Sequence, residues 1–211
     1  MVKIENFNTG PKVNPDVANI NLDPFENIKN KKKIKQLLKN IVESDSKELE
    51  KNINNAYHPN AELKCFHPVN NISGIDEIYH KLWLPIKNSF TDLERRECLV
   101  LGGSFQDKVF VSTISLLTGT YTNPWLGIPT NNKTIHLRMC EAHEIKDGKI
   151  IHSHILLDVI DFIRQAGFWP INKSNGAEGL WANSITGDGA IFENIDEQLS
   201  MSSLEQALTM Q

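Results

Sequence analysis

The order of the secondary-structure signals along the chain predicts an α+β fold. Helical stripes of apolar residues come before residue 90, strand-like stretches follow between residues 93 and 158, and an Asp-Gly turn joins the last two strands. Helices and strands that segregate along a chain, instead of alternating, are typical of an antiparallel sheet with helices packed against it. At 211 residues, the chain is long enough for one such domain with appendages.

Two helices are predicted at the start of the chain. Residues 23–43 carry apolar side chains at the three- and four-residue spacing of one helix face, namely Ile34, Leu37, Leu38, Ile41 and Val42. Six lysines between positions 29 and 39 indicate that the rest of this helix is a solvated face. A second helix is predicted after the capping pair Asp45 and Glu48, with its apolar side made by Leu49, Ile53 and Ala56.

The remaining elements are predicted from apolar periodicity and from turn residues. Ser73 is a suitable N-cap for a third helix, and Pro85 is expected to kink or end that helix because proline has no backbone N–H. Strands are predicted at residues 61–66, 93–101 and 109–121 before the final hairpin, and helices are predicted at residues 159–166 and 203–209.

The final two strands are predicted to form a β-hairpin at residues 137–145 and 150–158. Asp147-Gly148 is a strong signal for a type I′ turn, which needs positive φ at both central residues. A regular turn pairs His143 with His152 and Glu141 with His154, because it fixes every later pair. One face then carries two carboxylates and three imidazoles, namely Glu141, Asp158, His143, His152 and His154. The other face is predicted to be apolar, with Ala142, Ile151, Ile155 and Leu157.

The net charge and the composition limit the kinds of binding partner and the cellular location that we expect. A net charge of −4 gives no reason to expect nucleic acid or an anionic membrane as a partner. No apolar run reaches the roughly 18 residues that span a bilayer. The three cysteines, Cys65, Cys98 and Cys140, are scattered and lack metal-ligand spacing, which is typical of reduced thiols. We therefore expect a cytoplasmic protein.

Several short stretches between residues 83 and 167 follow a familiar order. They are Trp83-Leu84-Pro85, Phe90-Thr91-Asp92-Leu93, Gly119-Thr120-Tyr121, Trp125-Leu126-Gly127-Ile128-Pro129, Asp147-Gly148-Lys149-Ile150, and Ile163-Arg164-Gln165-Ala166-Gly167 after Asp158. Their order and spacing, across about residues 52–170, resemble the SnoaL-like polyketide cyclase family of the NTF2-like group. The chain departs from that family at Asn131-Asn132-Lys133, where Thr-Gly-Arg is usual, and at His152 and His154.

The resemblance implies a cone-shaped, antiparallel-rich sheet that wraps around the N-terminal helices and encloses a deep apolar pocket. It divides the chain into an irregular arm at residues 1–23, a SnoaL-like domain at 24–171 and an extension at 172–211. It also implies a homodimer and a small hydrophobic carbonyl compound as ligand. In that family a carboxylate in the pocket works as general acid/base, and the matching position in this sequence is Asp158.

The chemistry expected from these residues is cofactor-free aldol cyclisation, isomerisation or a related lyase reaction. A carboxylate in an apolar pocket is a useful base, because burial destabilises its charged form. Asp158 is predicted to move the proton, while His143 or His154 donates to the developing enolate oxygen and Glu141 orients His154. Further ligand contacts are predicted for the rings of Trp83, Tyr121, Trp125 and His152.

Each assignment has an alternative at this point. Asp158 is also a favoured residue for the N-cap of the helix that begins at Val159. His152 and His154 with His143 or Glu141 offer enough nitrogen and oxygen ligands for a metal site. A third alternative is a binding module of the same fold with no catalytic role, because a fold does not fix a function.

Overall fold

The computed structural model describes residues 23–105, 107–169, 171–172, 189–193 and 196–210, and has the predicted α+β architecture. The elements follow one another in the order α1 (Pro24–Glu43), α2 (Leu49–Ala56), β1 (Tyr57–Lys64), β2 (Asn71–Ser73), α3 (Gly74–Glu77), a π-helical turn (Ile78–Trp83), α4 (Leu84–Ser89), β3 (Phe90–Phe105), β4 (Lys108–Tyr121), β5 (Thr134–Lys146), β6 (Lys149–Leu157), α5 (Val159–Gln165) and α6 (Glu197–Thr209). Every predicted helix and strand has a counterpart, and the short strand β2 is an addition.

The six strands form one open mixed sheet in the order β2-β1-β6-β5-β4-β3. Neighbouring strands pair antiparallel except β1 and β6, which run parallel. A parallel pair needs a long crossover connection, and residues 65–148 provide it. Helix α1 lies against β3, while α2 contacts α1, β1 and the π-helical turn. The helices thereby cover one face of the sheet, which we call the inner face.

Helix α1 packs on the edge strand β3 through its apolar stripe and a close backbone contact. Ile34, Leu38 and Ile41 are fully buried, as the helical periodicity predicts. Asp23 caps the helix by accepting a hydrogen bond from the Phe25 amide at 3.0 Å. At Gly102 a Cβ atom would lie 2.1 Å from the Asn27 side-chain oxygen and 2.9 Å from Lys31 Cγ, so a larger residue would force these side chains of α1 to move.

The third predicted helix is interrupted by a π-helical turn before Pro85. The turn Ile78–Trp83 is followed by α4, in which Pro85 occupies the first turn and needs no backbone donor. The Ser73 side chain makes no capping hydrogen bond, so that detail of the prediction is wrong. The π-helical turn buries Ile78, Leu82 and Trp83 against the sheet.

A β-bulge changes the predicted register of the hairpin. Asp147 and Gly148 have φ of 51° and 72°, and Lys146 pairs with Lys149, as a type I′ turn requires. Ile145 pairs with Ile150, but Glu144 pairs with His152, so Ile151 is an extra residue in β6. An extra residue reverses the orientation of every side chain beyond it.

The reversal corrects the predicted faces of the hairpin. Glu141 and His143 point inward and are fully buried, whereas His152 and His154 lie on the outer face. Ile155 and Leu157 belong to the core and not to an apolar outer face. The prediction that both carboxylates and all three imidazoles share one face is therefore wrong.

Several of the expectations from the sequence remain predictions. Most of the proposed arm and extension, including Trp181, lies outside the described residues, and the domain boundaries and the homodimer are untested. Within the described ranges, none of the helices combines the length and apolar character needed to cross a membrane.

Asp158 caps helix α5, as the alternative for this residue predicts. Its side chain accepts a hydrogen bond from the Asp161 amide at 2.9 Å and pairs with the Arg138 guanidinium at 2.6 Å. The carboxylate is 38% exposed, at the surface end of β6. The cap and the ion pair together fix the direction in which the chain leaves the sheet.

We expect the cap to make a measurable contribution to stability. Replacing Asp158 with Ala should lower the free energy of unfolding by about 1 kcal/mol, because the Asp161 amide loses its acceptor. Asp158→Ser should retain most of this stability, since a serine hydroxyl also caps. Urea unfolding of the two variants provides the measurement, and equal losses in both would contradict the capping role.

Candidate active site

The inner face of the sheet carries a group of charged and polar residues among the apolar core. We call it the buried polar cluster, and it consists of Arg95, Glu97, Thr113, Ser115, Glu141, His143 and Ser153. All seven side chains belong to residues that are at most 6% exposed. Charged residues are rarely buried to this degree unless they are paired, so the pairing within this cluster decides whether the fold can hold it.

Side chains alternate between the two faces of the sheet, and this alternation along four neighbouring strands brings the cluster together on the inner face. Each of β3, β4 and β5 contributes two residues that are two positions apart and therefore face the same side. Thr113 pairs with Glu141 across β4 and β5, and His143 pairs with Ser153 across β5 and β6. The bulge at Ile151 turns Ser153 inward, so the His143 contact depends on it.

Arg95 is the centre of the cluster's hydrogen bonds. Its Nε donates to Glu97 at 2.8 Å, and its Nη2 donates to Glu141 at 2.5 Å and to Thr113 Oγ1 at 3.1 Å. The Arg95 backbone amide donates to the Glu43 carboxylate of α1 at 3.0 Å. One guanidinium therefore holds two buried carboxylates and links them to the adjacent strand.

The Glu141 carboxylate is ionised despite its burial. Burial by itself raises its pKa, but the Arg95 guanidinium, His143 and the hydrogen bonds from Arg95 and Thr113 outweigh burial and lower the pKa. Ser115 adds a longer contact to the same oxygen, Oε2, at 3.4 Å. All of these donors meet Oε2, while Oε1 has no hydrogen-bond partner among the described residues.

His143 is neutral at physiological pH. Burial and the nearby Arg95 charge lower its pKa to about 4, although Glu141 acts in the opposite direction. Its Nδ1 lies 2.8 Å from the Ser153 hydroxyl, and its Nε2 lies 3.8 Å from Glu141 Oε1. The second distance is too long for a hydrogen bond, so within the described structure both Nε2 and Oε1 are unpaired.

Three more buried polar atoms near the cluster lack partners. They are Arg95 Nη1, the Tyr57 hydroxyl and the Trp83 indole Nε1, each unpaired within the described part of the chain. Burial raises the pKa of Tyr57 and brings that of the Cys65 thiol to about 12, and the Glu141 charge acts in the same direction on both. Glu141 Oε1 and His143 Nε2, the two unpaired atoms that face each other, form the candidate active site together with the charged groups around them.

A polar cavity of about 610 Å³ reaches this cluster from the side of α1 and the edge strand β3. Arg95 and Glu97 form part of its wall, together with Lys35, Lys39 and Glu43 of α1. Ala190, from the segment that bridges Leu99 through Gly189, closes another side. The cavity is large enough for a small ligand, but the Arg95 and Glu97 side chains are only 0% and 3% exposed, so it adjoins the strand that carries the buried charges and not the charges themselves.

The structure separates the predicted catalytic residues into two groups. Glu141 and His143 lie together in the cluster. Asp158 lies fifteen residues after His143 in the chain and beside Arg138 of β5. Along that strand, Arg138 is about 16 Å from His143. His154 is exposed on the outer face, so Glu141 cannot orient it.

The remaining predicted ligand residues have structural contacts of their own. His152 is half-exposed and pairs with Glu144 at 2.9 Å. The Tyr121 hydroxyl donates to the Ile128 carbonyl at 2.5 Å and accepts from the Trp125 amide at 2.8 Å, which fixes the loop between β4 and β5. Trp83 is fully buried in the hydrophobic core beside Tyr57.

The metal alternative does not fit this arrangement. His152 and His154 face away from Glu141 and His143, so these residues cannot share one ion. Nowhere in the described ranges do three or more His, Cys, Asp or Glu side chains have metal-binding geometry. The four residues therefore do not form the metal site that their order in the sequence allowed.

Three residues of the candidate site were not predicted from the sequence, namely Arg95, Glu97 and Tyr57. Arg95 and Glu97 follow Leu93 at two-residue spacing, a pattern that also describes the solvated face of a strand. The bulges in β3 at Thr91/Glu94 and Glu97/Leu99 make that face harder to assign. Tyr57 follows the apolar stripe of the second predicted helix, and no motif in the sequence marks it as a site residue.

The neutral state of His143 predicts a specific pH dependence of stability. In the unfolded chain a histidine takes up a proton near pH 6.5, whereas His143 in the folded chain does so only near pH 4. Between these values the unfolded state binds more protons, so the free energy of unfolding falls as the pH falls. The loss attributable to His143 is on the order of 3 kcal/mol.

We therefore expect His143→Gln to flatten the decrease in stability between pH 6.5 and 4.5. The measurement is urea unfolding across that range. His154→Gln is the matched control, since that ring is exposed and should leave the slope as in the wild type. An unchanged slope in His143→Gln would contradict the assignment of a buried neutral imidazole.

Comparison with known proteins supports the fold. The sequence matches no protein-family model, and no curated protein matches it significantly. Its structure is similar to IdmH of Streptomyces antibioticus, assigned as a polyketide cyclase, with a TM-score of 0.53, 15% identity and coverage of 65% of this chain and 99% of IdmH.

Two further solved structures share the architecture. AclR of Streptomyces galilaeus, assigned as a hydroxylase, has a TM-score of 0.55 and 14% identity over 87% of this chain and 95% of its own. An assigned SnoaL-like polyketide cyclase of Jannaschia has a TM-score of 0.50 and 15% identity over 66% of this chain and 94% of its own. The chain therefore has the SnoaL-like fold that these structures share.

Proposed function

We propose that the chain is an enzyme that moves a proton on a small hydrophobic carbonyl compound by general acid/base catalysis, without a cofactor. One observation carries the proposal. Glu141 Oε1 and His143 Nε2 are fully buried, 3.8 Å apart and unpaired among the described residues. An ionised carboxylate and a neutral imidazole that face each other are the groups such chemistry needs.

Glu141 is the proposed base. It removes the proton from the carbon next to a carbonyl group, becomes a neutral carboxylic acid, and leaves the negative charge on the enolate oxygen. The site thus keeps its net charge, and the charge moves from Glu141 to the substrate. Because the Arg95 guanidinium lowers the pKa of Glu141, the carboxylate is a weak base.

The weak base restricts the substrate. A carboxylate held below its usual pKa removes protons efficiently only from acidic carbon, since proton transfer depends on the difference between the two pKa values. A carbon between two carbonyl groups is such a position, and a polyketide chain repeats it. We therefore propose a 1,3-dicarbonyl compound as the substrate class, in keeping with an aldol cyclisation.

His143 is the proposed partner that returns the proton. With the Ser153 hydroxyl donating to Nδ1, the imidazole carries its proton on Nε2, the atom that faces Glu141. It can donate to a developing oxyanion and be reprotonated from the carboxylic acid of Glu141. This sequence needs only the two side chains and the substrate.

The proposal assigns the base role to Glu141 in preference to Asp158. Asp158 is occupied by a helix cap and by Arg138, and it lines an open apolar groove of about 320 Å³ on the outer side with Cys140 and Leu156. Its catalytic role remains a prediction, and the exchange rate of Asp158→Ser separates the two carboxylates.

A binding module is the second candidate function, and one observation favours it. Arg95, Glu141 and His143 are each at most 4% exposed, so the polar cavity touches the cluster only through Arg95 and Glu97. A ligand that remains in the 610 Å³ cavity would be bound without meeting the base.

Deuterium exchange measures the proposed proton transfer without knowledge of the natural substrate. The wild-type protein should accelerate exchange at the central carbon of 2-alkyl β-keto esters in heavy water, followed by proton NMR. Glu141→Gln should reduce the enzymatic rate to background, and His143→Gln should reduce it by about 10²-fold. Asp158→Ser, which retains the helix cap, should exchange at the wild-type rate.

The outcomes distinguish the candidates. Exchange that is lost in Asp158→Ser but kept in Glu141→Gln would overturn the assignment of the base. The wild-type protein could instead bind the esters, as shown by changes in the NMR signals of the ligand, without accelerating the exchange. This result would favour the binding module. Far-ultraviolet circular dichroism of each variant serves as the control for folding.

A further inference from the structure

The Arg95 guanidinium divides its hydrogen bonds between two buried carboxylates. Its Nε donates to Glu97 Oε1 at 2.8 Å, and its Nη2 donates to Glu141 Oε2 at 2.5 Å. The side chains of Arg95 and Glu141 are 0% exposed, and that of Glu97 is 3% exposed. The proton moves between the substrate, Glu141 and His143, so the proposed reaction does not use Glu97 directly.

The division leaves one oxygen of Glu141 free. An arginine commonly holds a carboxylate with two parallel N–H groups, which bind both carboxylate oxygens. Nε and Nη2 are such a pair of donors, but here they bind two different carboxylates. Glu141 therefore accepts from only one of them, through Oε2. Its Oε1 has no hydrogen-bond partner in the part of the chain that the structure describes, and it lies 3.8 Å from His143 Nε2.

The register of β3 and β4 places Glu97 alongside the Arg95 side chain. Arg95 and Glu97 are two positions apart on the inner face of β3. Arg95 pairs with Leu117 of β4, but its guanidinium donates to Thr113, four positions away on that strand. Glu97 pairs with Ser115, midway between these two positions. The Arg95 side chain thus passes Glu97, which binds it at Nε, before its end reaches Glu141.

Glu97 is not needed to compensate the charge of Arg95. Glu141 alone would form a neutral pair with the guanidinium, whereas two carboxylates leave an excess of buried negative charge. Buried charge without compensation destabilises a folded protein. A carboxylate that works against stability at such a position indicates a functional role.

We propose that Glu97 is a positioning residue that holds Arg95 Nε and thereby keeps Glu141 Oε1 free to take the proton from the substrate. This inference rests on the proposed function, in which Oε1 is the atom of the base that faces His143. Without Glu97, Nε and Nη2 together bind both oxygens of Glu141, because the bidentate pair is stronger than a single hydrogen bond. Oε1 is then occupied by a donor and no longer available as a base.

Variants of Glu97 test this role through deuterium exchange of 2-alkyl β-keto esters. Glu97→Met removes the acceptor of Nε and keeps a side chain of similar length, so kcat should fall by about tenfold or more with little change in KM. Glu97→Gln keeps an oxygen acceptor for Nε and should stay within about threefold of the wild-type kcat.

Glu94→Met is the matched control. Glu94 lies on the same strand with an exposed side chain, so this variant should exchange at the wild-type rate. Equal kcat values in Glu97→Met and Glu94→Met would overturn the inference.

Two further measurements distinguish positioning from a structural role. The urea midpoint of Glu97→Met should equal or exceed that of the wild type, because a neutral ion pair remains. A lower midpoint with an unchanged kcat would show that Glu97 is structural. In a crystal structure of Glu97→Met, Arg95 Nε should lie within hydrogen-bond distance of Glu141 Oε1, and an Oε1 that is still unpaired would refute the positioning role. Absent wild-type exchange would refute the proposed function itself, and this crystal structure would still decide whether Glu97 keeps Oε1 unpaired.

Discussion

The ion pair between Arg95 and Glu141 is the constraint on which the inner face of this fold depends. The guanidinium is fully enclosed and holds Glu97 and Glu141, and it connects β3 to β4 and β5. Removing one partner of such a pair typically costs about 3–5 kcal/mol, because it leaves an uncompensated buried charge. Two carboxylates around one cation leave this group with an excess of negative charge. An arrangement of that kind is weak evidence for stability and better evidence for a site that exchanges protons with a ligand.

A single extra residue decides which side chains belong to that site. Without the bulge at Ile151, Ser153 would face outward and His154 would face the core. With the bulge, His143 has a hydroxyl partner that fixes its ring, and the outer face receives the polar residues of β6. A bulge close to the hairpin turn therefore decides which residues belong to a site that spans four strands.

The sequence is informative about where the helices and strands lie, and less informative about which face of the sheet each side chain points to. The apolar spacing in α1, the Asp147-Gly148 turn and the alternative role of Asp158 as a helix cap are confirmed, because each depends on residues near one another in the chain. The register of β6 was not predicted, since Ile150 and Ile151 are both apolar and alternation cannot choose between them. Arg95 and Glu97 were missed for the same reason, because a buried charged strand and a solvated one have the same pattern. Long-range pairing alone distinguishes them.

The central claim is that the buried group around Glu141, and not the surface group around Asp158, meets the ligand. Nitrogen-15 NMR of the histidine rings tests it most directly. We predict that His143 is neutral with a pKa of about 4, and that its signals move when a 2-alkyl β-keto ester is added while those of His154 do not. Signals of His152 and His154 that move while those of His143 stay fixed, or a His143 that titrates near pH 6.5, would contradict it.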